Sequence, residues 1–194
     1  MRHVPNALTI LRFVLTPIVL VLTWESTSWE ESTGAFSAFA VASISDYLDG
    51  KIARKYQVHS RLGTFLDPLA DKVLVLGTYG VIAMQHAALV PVWMLSLIAL
   101  RDVGVTTFRS WAERNDRPLV TNTSAKWKTA LQLTHLHLVL AGLALVQGTS
   151  WLASLGQDLL TVLGSPAVTI LVTAVTVYTG LLYARQAPSM SRDS

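Results

Sequence analysis

The chain has 194 residues, of which 52% are hydrophobic and 14% are charged, and its formal net charge is +3. With a mean hydropathy of +0.46, this composition excludes an ordinary soluble domain and predicts a polytopic, all-helical membrane protein. The lack of cysteine excludes disulfides and thiolate metal sites, and we expect no binding to nucleic acid.

The first predicted helix runs from Asn6 to Leu22. Asn6, Thr9 and Arg12 recur on one face of it at helical spacing. Arg12 either belongs to a functional face or extends its charged end to the membrane interface. Residues 23–33 contain Trp and Glu but no basic residue, which predicts a loop on the side opposite the cytoplasm.

The second predicted helix runs from about Gly34 to Arg54. A short basic loop with His59, Arg61 and Gly63 follows it. Asp67-Pro68 is typical of a helix N-terminus, so the third helix is predicted over 68–84. We expect Gly77 and Gly80 to allow close packing of this helix.

Four carboxylates accompany the second and third helices. Asp46 and Asp49 (i, i+3) share one helix face, and Asp67 and Asp71 (i, i+4) share a face of the next helix. Four carboxylates in a low-dielectric site cannot all stay ionised unless cations lie between them, and two divalent ions would balance their charge. Such oxygen ligands favour Mg²⁺ or Mn²⁺, which proteins commonly share with substrate phosphates. The pattern therefore predicts a phosphoryl-transfer site.

Three small residues, Gly50, Ala53 and Gly63, lie among these carboxylates. Because their side chains occupy little space, a bulky ligand can approach the backbone beside the ions. A nucleotide is a plausible occupant of that space.

Three further helices are predicted over 90–108, 125–146 and 166–183. His135 and His137 are two residues apart, so they point to different faces, and we expect hydrogen bonds between helices rather than a shared metal. Trp151 and Asp158 are predicted to lie in the connection between the last two helices.

Six membrane-spanning helices with both termini in the cytoplasm satisfy the positive-inside rule. The connections after the first, third and fifth helices contain no Lys or Arg. We expect one membrane domain over 1–187 and a disordered tail over 188–194.

The fixed positions from Asp46 to Asp71 form the pattern D-x2-D-G-x2-A-R-x8-G-x3-D-x3-D. This pattern resembles the signature of the CDP-alcohol phosphatidyltransferases, integral membrane enzymes of phospholipid head-group synthesis. The resemblance implies that an alcohol attacks the lipid-linked phosphorus of CDP-diacylglycerol and that CMP leaves. It also implies a homodimer, which we expect in a bacterial inner (cytoplasmic) membrane with its active site facing the cytoplasm.

The same resemblance implies roles for individual residues. Asp46, Asp49 and Asp67 are then the main metal ligands, and Asp71 lies near the metals as the candidate base. The expected nucleotide-binding residues come from the same signature: Asp49, Gly50, Ala53, Arg54 and Gly63. Arg54 contacts the nucleotide phosphates or braces the carboxylates, and the sequence does not choose between these roles.

A second basic group bears on the acceptor alcohol. Arg101-Asp102, Arg109 and the segment 126–129 resemble stretches of phosphatidylglycerophosphate synthases within this family, although Asp102 replaces a Glu and Ala125 a Gly. We expect the acceptor-binding residues to be Arg109, Lys126 and Lys128. A basic pocket favours a phosphorylated acceptor such as glycerol 3-phosphate, with inositol phosphate as the competitor. Inositol, serine or phosphatidylglycerol are further alternatives, and ordinary positive-inside charge is another explanation of these residues.

Two other protein classes remain possible on the sequence. An ion carrier could use intramembrane aspartates, but its acids would be expected at the membrane midplane, whereas these are predicted near one surface. A structural membrane protein would carry four carboxylates at a cost without a ligand. No Gly-rich phosphate loop and no Ser-His-Asp spacing is present, so we expect direct transfer without a covalent intermediate.

Overall fold

A computed structural model describes residues 4–56, 61–115 and 123–185. Within these ranges the chain forms seven α-helices and no strand: α1 (Val4–Trp24), α2 (Trp29–Tyr56), α3 (Arg61–Gln85), α4 (Val92–Arg114), α5 (Thr123–Val146), α6 (Ser150–Val162) and α7 (Pro166–Ala184). The all-helical prediction is therefore confirmed. The predicted disordered tail and His59 lie outside the described residues.

Six of the described helices are long, with 19 to 28 residues each, and α6 has only 13. Two segments, Trp127–Val146 and Pro166–Ala184, are apolar and long enough to cross a membrane by length and composition alone. The other long helices include charged or polar residues along part of their length. The six-span arrangement therefore stays a prediction.

The helix α6 occupies the connection in which Trp151 and Asp158 were predicted to lie. At a rise of about 1.5 Å per residue, its 13 residues are too short to cross a bilayer. It packs directly on α5, where Gly156 meets Gly142: a Cβ atom at Gly156 would lie 2.6 Å from the backbone nitrogen of Val146. The sequence predicted a connection here and no helix within it, because the contact that buries the small-residue face of α6 on α5 has little sequence signal.

Two predicted helix starts also need correction. The helix α2 begins at Trp29, five residues before Gly34, because Ser28 and Glu31 form a capping box. The Glu31 carboxylate accepts hydrogen bonds from the backbone N–H groups of Thr27 and Ser28, at 2.9 and 3.1 Å. The bonds from Thr27 are the largest cause of a lowered pKa of Glu31.

The helix α3 begins at Arg61, so Asp67-Pro68 does not mark its N-terminus. Arg61 and Gly63, which were predicted in a loop, lie in its first turn. Pro68 is the eighth residue of α3, and the helix continues through it, although a proline in a helix interior removes one backbone hydrogen bond.

The main core lies among α1, α2, α3 and α5. Val19, Phe39, Leu74 and Leu136 are fully buried there, one from each of these helices. Gly77 allows Leu20 of α1 to approach α3, because a Cβ atom would lie 3.0 Å from a Leu20 methyl group, as expected. Within the described part of the chain, no atom lies within 4 Å of a Cβ placed at Gly80, so the close packing expected there is not found among these residues.

The helix α4 packs against α3 and α7, and α5 packs against α2, α6 and α7. Four helices, α3, α4, α5 and α7, therefore face one another at the ends that carry Asp71, Arg109 and Lys128. Their facing side chains enclose the candidate site.

Candidate functional site

A cavity of about 180 Å³ lies between α3, α4, α5 and α7. Six charged residues line it: Asp71 and Lys72 from α3, Arg101, Asp102 and Arg109 from α4, and Lys128 from α5. Thr106, Thr129, Gln132 and Tyr183 add polar groups to its wall. The cavity thus combines the last signature aspartate with part of the basic group predicted to bind the acceptor.

Basic side chains outnumber acidic ones among the described residues that line this cavity. Four basic side chains and two carboxylates of the described set line it, a formal charge of +2 for that set. Because hydrogen bonds from cationic donors to phosphate are short and strong, such a cavity favours an anionic ligand that carries a phosphate.

Asp71 is the one signature carboxylate whose side chain the structure describes. It is half-buried and lines the cavity beside Lys72, its neighbour on α3. A carboxylate in this position can accept a proton from a ligand in the cavity, and its oxygens suit a hard divalent cation. Both predicted roles of Asp71 are compatible with where it lies.

Lys128 has a partner that the sequence did not indicate. Its Nζ donates hydrogen bonds to both carboxylate oxygens of Asp102, at 2.5 and 2.6 Å. The Lys128 side chain is 10% exposed and that of Asp102 is 4% exposed, so this ion pair is buried. These two bonds use at most two of the three ammonium protons of Lys128, so with respect to the described residues one donor is left that a ligand could bind.

Arg101 joins the same group of charges. Its Nη1 donates to Asp102 Oδ1 at 3.1 Å, so one carboxylate neutralises two cations in part. Its guanidinium has five N–H donors, more than its contacts in the described part of the chain use. Arg101 therefore lines the cavity as a cation held in place by its neighbours.

Arg109 differs from Arg101 because its side chain is exposed at the mouth of the cavity. It lies eight residues after Arg101 on α4, about two turns along the helix. Arg109 can therefore contact a ligand at its outer end.

Several predicted site residues belong to described helices, but their side chains lie outside the described residues: Asp46, Asp49, Gly50, Ala53 and Arg54 on α2, Gly63 and Asp67 on α3, and Lys126 on α5. Among the side chains that are described, no three His, Asp or Glu residues form a metal cluster. Because three of the four predicted ligands are outside that set, the two-metal site stays a prediction.

Sequence reasoning assigned no role in the site to several residues that line the cavity, among them Lys72, Arg101, Asp102, Gln132 and Tyr183. Gln132 had a usable signal, since it follows Lys128 by four residues and so shares its helix face. Tyr183 had none, because its place depends on how α7 packs against α4.

The two histidines of α5 behave differently. His135 makes the expected contacts between helices: its Nδ1 lies 3.0 Å from the hydroxyl of Tyr79, and its Nε2 lies 3.3 Å from that of Thr169. His137 instead contacts the backbone oxygen of Leu133 in its own helix, so the expectation was wrong for this residue. Neither histidine lines the cavity.

Arg12 is fully buried among the helices. This burial does not fit the alternative in which its charged end extends to the membrane interface. Its role on a functional face stays open, since the side chains of Asn6 and Thr9 lie outside the described residues.

A sequence model of a protein family, described as CDP-alcohol phosphatidyltransferase, matches residues 2–163. The match covers α1 to α6 and ends before α7. It includes the signature residues and the basic positions on α4 and α5.

Individual relatives have similar descriptions. A protein of Arabidopsis thaliana named CDP-diacylglycerol–glycerol-3-phosphate 3-phosphatidyltransferase 1, chloroplastic/mitochondrial, is 36% identical over 80% of this chain and 56% of its own length. A Pseudomonas fluorescens protein named CDP-diacylglycerol–glycerol-3-phosphate 3-phosphatidyltransferase is 32% identical over 72% of each chain. A rice protein named cardiolipin synthase (CMP-forming) is 32% identical over 71% of this chain and 45% of its own length. The chain thus spans about half the length of these two plant relatives.

Proposed function

Because this chain belongs to the CDP-alcohol phosphatidyltransferase family, we propose that it transfers the phosphatidyl group of CDP-diacylglycerol to glycerol 3-phosphate. The products are phosphatidylglycerophosphate and CMP. The names of the relatives from Arabidopsis and Pseudomonas favour this acceptor among the alcohols that the family can use.

The observation that carries the choice of acceptor is the excess of basic side chains in the cavity beside Asp71. A phosphorylated alcohol brings a dianionic group that the basic side chains described in the cavity would bind. Inositol and serine bring no phosphate for these side chains to bind. Arg109, Lys126 and Lys128 are the proposed acceptor ligands, and Arg101 adds a fourth cation that the sequence prediction did not include.

The proposed transfer is a direct displacement. The free hydroxyl of the acceptor attacks the phosphorus bonded to the diacylglycerol, the bond to the CMP oxygen breaks, and Asp71 takes the hydroxyl proton. The basic residues of the cavity orient the acceptor by its phosphate, so that its hydroxyl end points toward Asp71.

Asp46, Asp49, Asp67 and Asp71 would hold two divalent ions, Mg²⁺ or Mn²⁺. When bound, these ions supply charge neutralisation and alignment of the diphosphate of the substrate. The small residues Gly50, Ala53 and Gly63 leave room for the nucleotide, and Arg54 contacts its phosphates or braces the carboxylates.

The membrane placement is also part of the proposal. We place α1 to α5 and α7 across the bilayer, with both termini and the cavity on the cytoplasmic side of an inner membrane. Large apolar side chains on the outer faces of these helices support it, among them Val14, Val41, Leu100 and Ile170. A homodimer is proposed on the family resemblance.

A parallel acceptor assay tests the reaction. Purified protein is supplied with CDP-diacylglycerol and Mg²⁺ or Mn²⁺, and with glycerol 3-phosphate, inositol phosphate, inositol, serine or phosphatidylglycerol in separate reactions. Glycerol 3-phosphate should give the most CMP, with phosphatidylglycerophosphate as the lipid product. Preference for an unphosphorylated alcohol would contradict the acceptor assignment.

The role of Asp71 is tested by Asp71→Asn, which keeps the size of the side chain and removes its basicity. Turnover should collapse while CDP-diacylglycerol still binds. The matched control is Asp158→Asn, since Asp158 is exposed on α6, outside the cavity, and should retain full activity. Equal loss of binding and turnover in Asp71→Asn would make Asp71 mainly a metal ligand.

A further inference from the structure

We infer that α7 is a positioning element of the acceptor site, because Thr179 and Gly180 together hold Arg101 against the cavity. The inference rests on the proposed function and adds to it two residues that touch no substrate. Both residues lie in α7, beyond the region 2–163 that the family model matches.

The helix α7 buries a stripe of hydroxyl groups in an otherwise apolar sequence. Four threonines and one tyrosine form this stripe: Thr169, Thr173, Thr176, Thr179 and Tyr183. The hydroxyl of Thr179 donates to the backbone oxygen of Thr176 at 2.8 Å, and its oxygen still has lone pairs to accept a bond. Arg101 Nη2 donates to that oxygen at 2.9 Å.

Gly180 gives Arg101 the space to reach Thr179. A Cβ atom at Gly180 would lie 2.6 Å from Arg101 Cγ and 3.2 Å from Nε. Two non-bonded carbon atoms do not approach to 2.6 Å without displacement, so any side chain at this position would move the stem of Arg101 away from α7. Glycine at position 180 therefore leaves the space that the Arg101 side chain occupies.

The position of Arg101 affects the other charges of the cavity. Its Nη1 donates to Asp102 Oδ1, and Lys128 Nζ donates to the same oxygen. Thr179, Arg101, Asp102 and Lys128 thus form one chain of hydrogen bonds from α7 through α4 to α5. If Arg101 is displaced, its hydrogen bond to Asp102 is lost and Lys128 becomes the main partner of that carboxylate. The positions of both cations in the cavity then change.

A purely structural role of α7 predicts a different result from a positioning role. If α7 only packs against α4, variants at Thr179 and Gly180 lower stability and leave the Michaelis constants of the folded protein unchanged. If α7 positions Arg101, the KM for the acceptor rises, while the KM for CDP-diacylglycerol and the kcat at saturating acceptor change little.

The experiment compares three variants with one matched control. Thr179→Val removes the acceptor of the Arg101 bond at nearly constant volume, Thr179→Ser restores a hydroxyl, and Gly180→Ala adds the clashing Cβ. The control Gly104→Ala lies on α4 in the same apolar groove between α4 and α7, where a Cβ would have no atom within 4 Å.

In the folded fraction of each protein, Thr179→Val should raise the KM for glycerol 3-phosphate by about fivefold to tenfold. Gly180→Ala should raise it by about tenfold, since it displaces the whole side chain. For Thr179→Ser and Gly104→Ala the KM for glycerol 3-phosphate should stay within about twofold of that of the original protein. Thr179→Ser keeps a hydroxyl for Arg101, and the Cβ of Gly104→Ala makes no clash.

The outcomes separate the two claims. If the unmodified protein uses another acceptor, the proposed function fails, and the variants are then measured with the acceptor that it does use. If Thr179→Val leaves the acceptor KM unchanged, or raises both Michaelis constants equally, the inference is wrong even where the proposed function holds. Because Thr179→Val adds no volume, its result decides the question if Gly180→Ala does not fold.

Discussion

The geometry of the buried ion pair between Asp102 and Lys128 predicts that replacing Asp102 destabilises the protein more than replacing Lys128. Removing one partner of a buried ion pair costs about 3–5 kcal/mol, because the remaining charge is left uncompensated. The two partners are not equivalent here. Asp102 has a second cation, Arg101, at 3.1 Å, whereas among the described residues Lys128 donates hydrogen bonds to Asp102 alone.

Lys128→Met should therefore cost about 3 kcal/mol, the lower end of that range, since Asp102 keeps Arg101. Asp102→Asn leaves two neighbouring cations without their shared carboxylate and should cost about 5 kcal/mol. For a chain of this length each kcal/mol lowers Tm by about 2–4 °C. The expected losses are then about 6–12 °C for Lys128→Met and about 10–20 °C for Asp102→Asn.

The double variant Lys128→Met with Asp102→Asn should lose less than the sum of the single losses, because it removes both ends of one interaction. Thermal unfolding of the detergent-purified protein, followed by the fluorescence of its six tryptophans, measures all three losses. Arg114→Met is the control, since Arg114 is an exposed cation on the same helix as Asp102 and its loss should change stability by less than about 0.5 kcal/mol. The reasoning is refuted if Lys128→Met costs as much as Asp102→Asn, or if the two losses add.

Two further predictions concern topology and helix packing. Because the chain has no cysteine, single introduced cysteines report which side of the membrane a residue faces. Ser26→Cys should react with an impermeant maleimide in intact cells, and Arg114→Cys should react only after permeabilisation. Labelling of both variants in intact cells would contradict the six-span arrangement. At the contact between α5 and α6, Gly156→Ala should lower stability more than Gly142→Ala. The new Cβ meets backbone atoms at 2.6 and 2.9 Å at Gly156, whereas at Gly142 it meets mainly a leucine side chain, which can move. Equal Tm values for the two variants would contradict this difference.

Much of the fold could be predicted from the spacing of residues that lie close together in the sequence. The helical class and the approximate positions of six long helices follow from apolar runs and from the charges between them. The capping box at Ser28 and Glu31 was also readable, as a Ser followed three residues later by a Glu, and would have placed the start of α2 correctly. The predicted start of α3 at Pro68 was wrong: Asp-Pro is typical of a helix N-terminus, but α3 begins seven residues earlier, at Arg61.

The candidate site was predictable to the extent that its residues belong to short patterns. Asp71 lies within the signature, and Arg109 and Lys128 lie in stretches that resemble those of related enzymes, and the structure brings these three to one cavity. The contribution of α7 was not predictable, because Tyr183 and Thr179 occur in no pattern linked to the site and the family match ends before them.

The sequence by itself determined the helical class, the family and the residue types available for the chemistry, since these depend on composition and on spacings of a few residues. Only the tertiary structure decided which charges meet. Lys128 pairs with a carboxylate 26 residues away, and Arg101 bonds to a hydroxyl 78 residues away. Such contacts depend on how whole helices rotate and pack against one another, and the periodicity of a single helix shows which residues share a face without showing which helix that face meets.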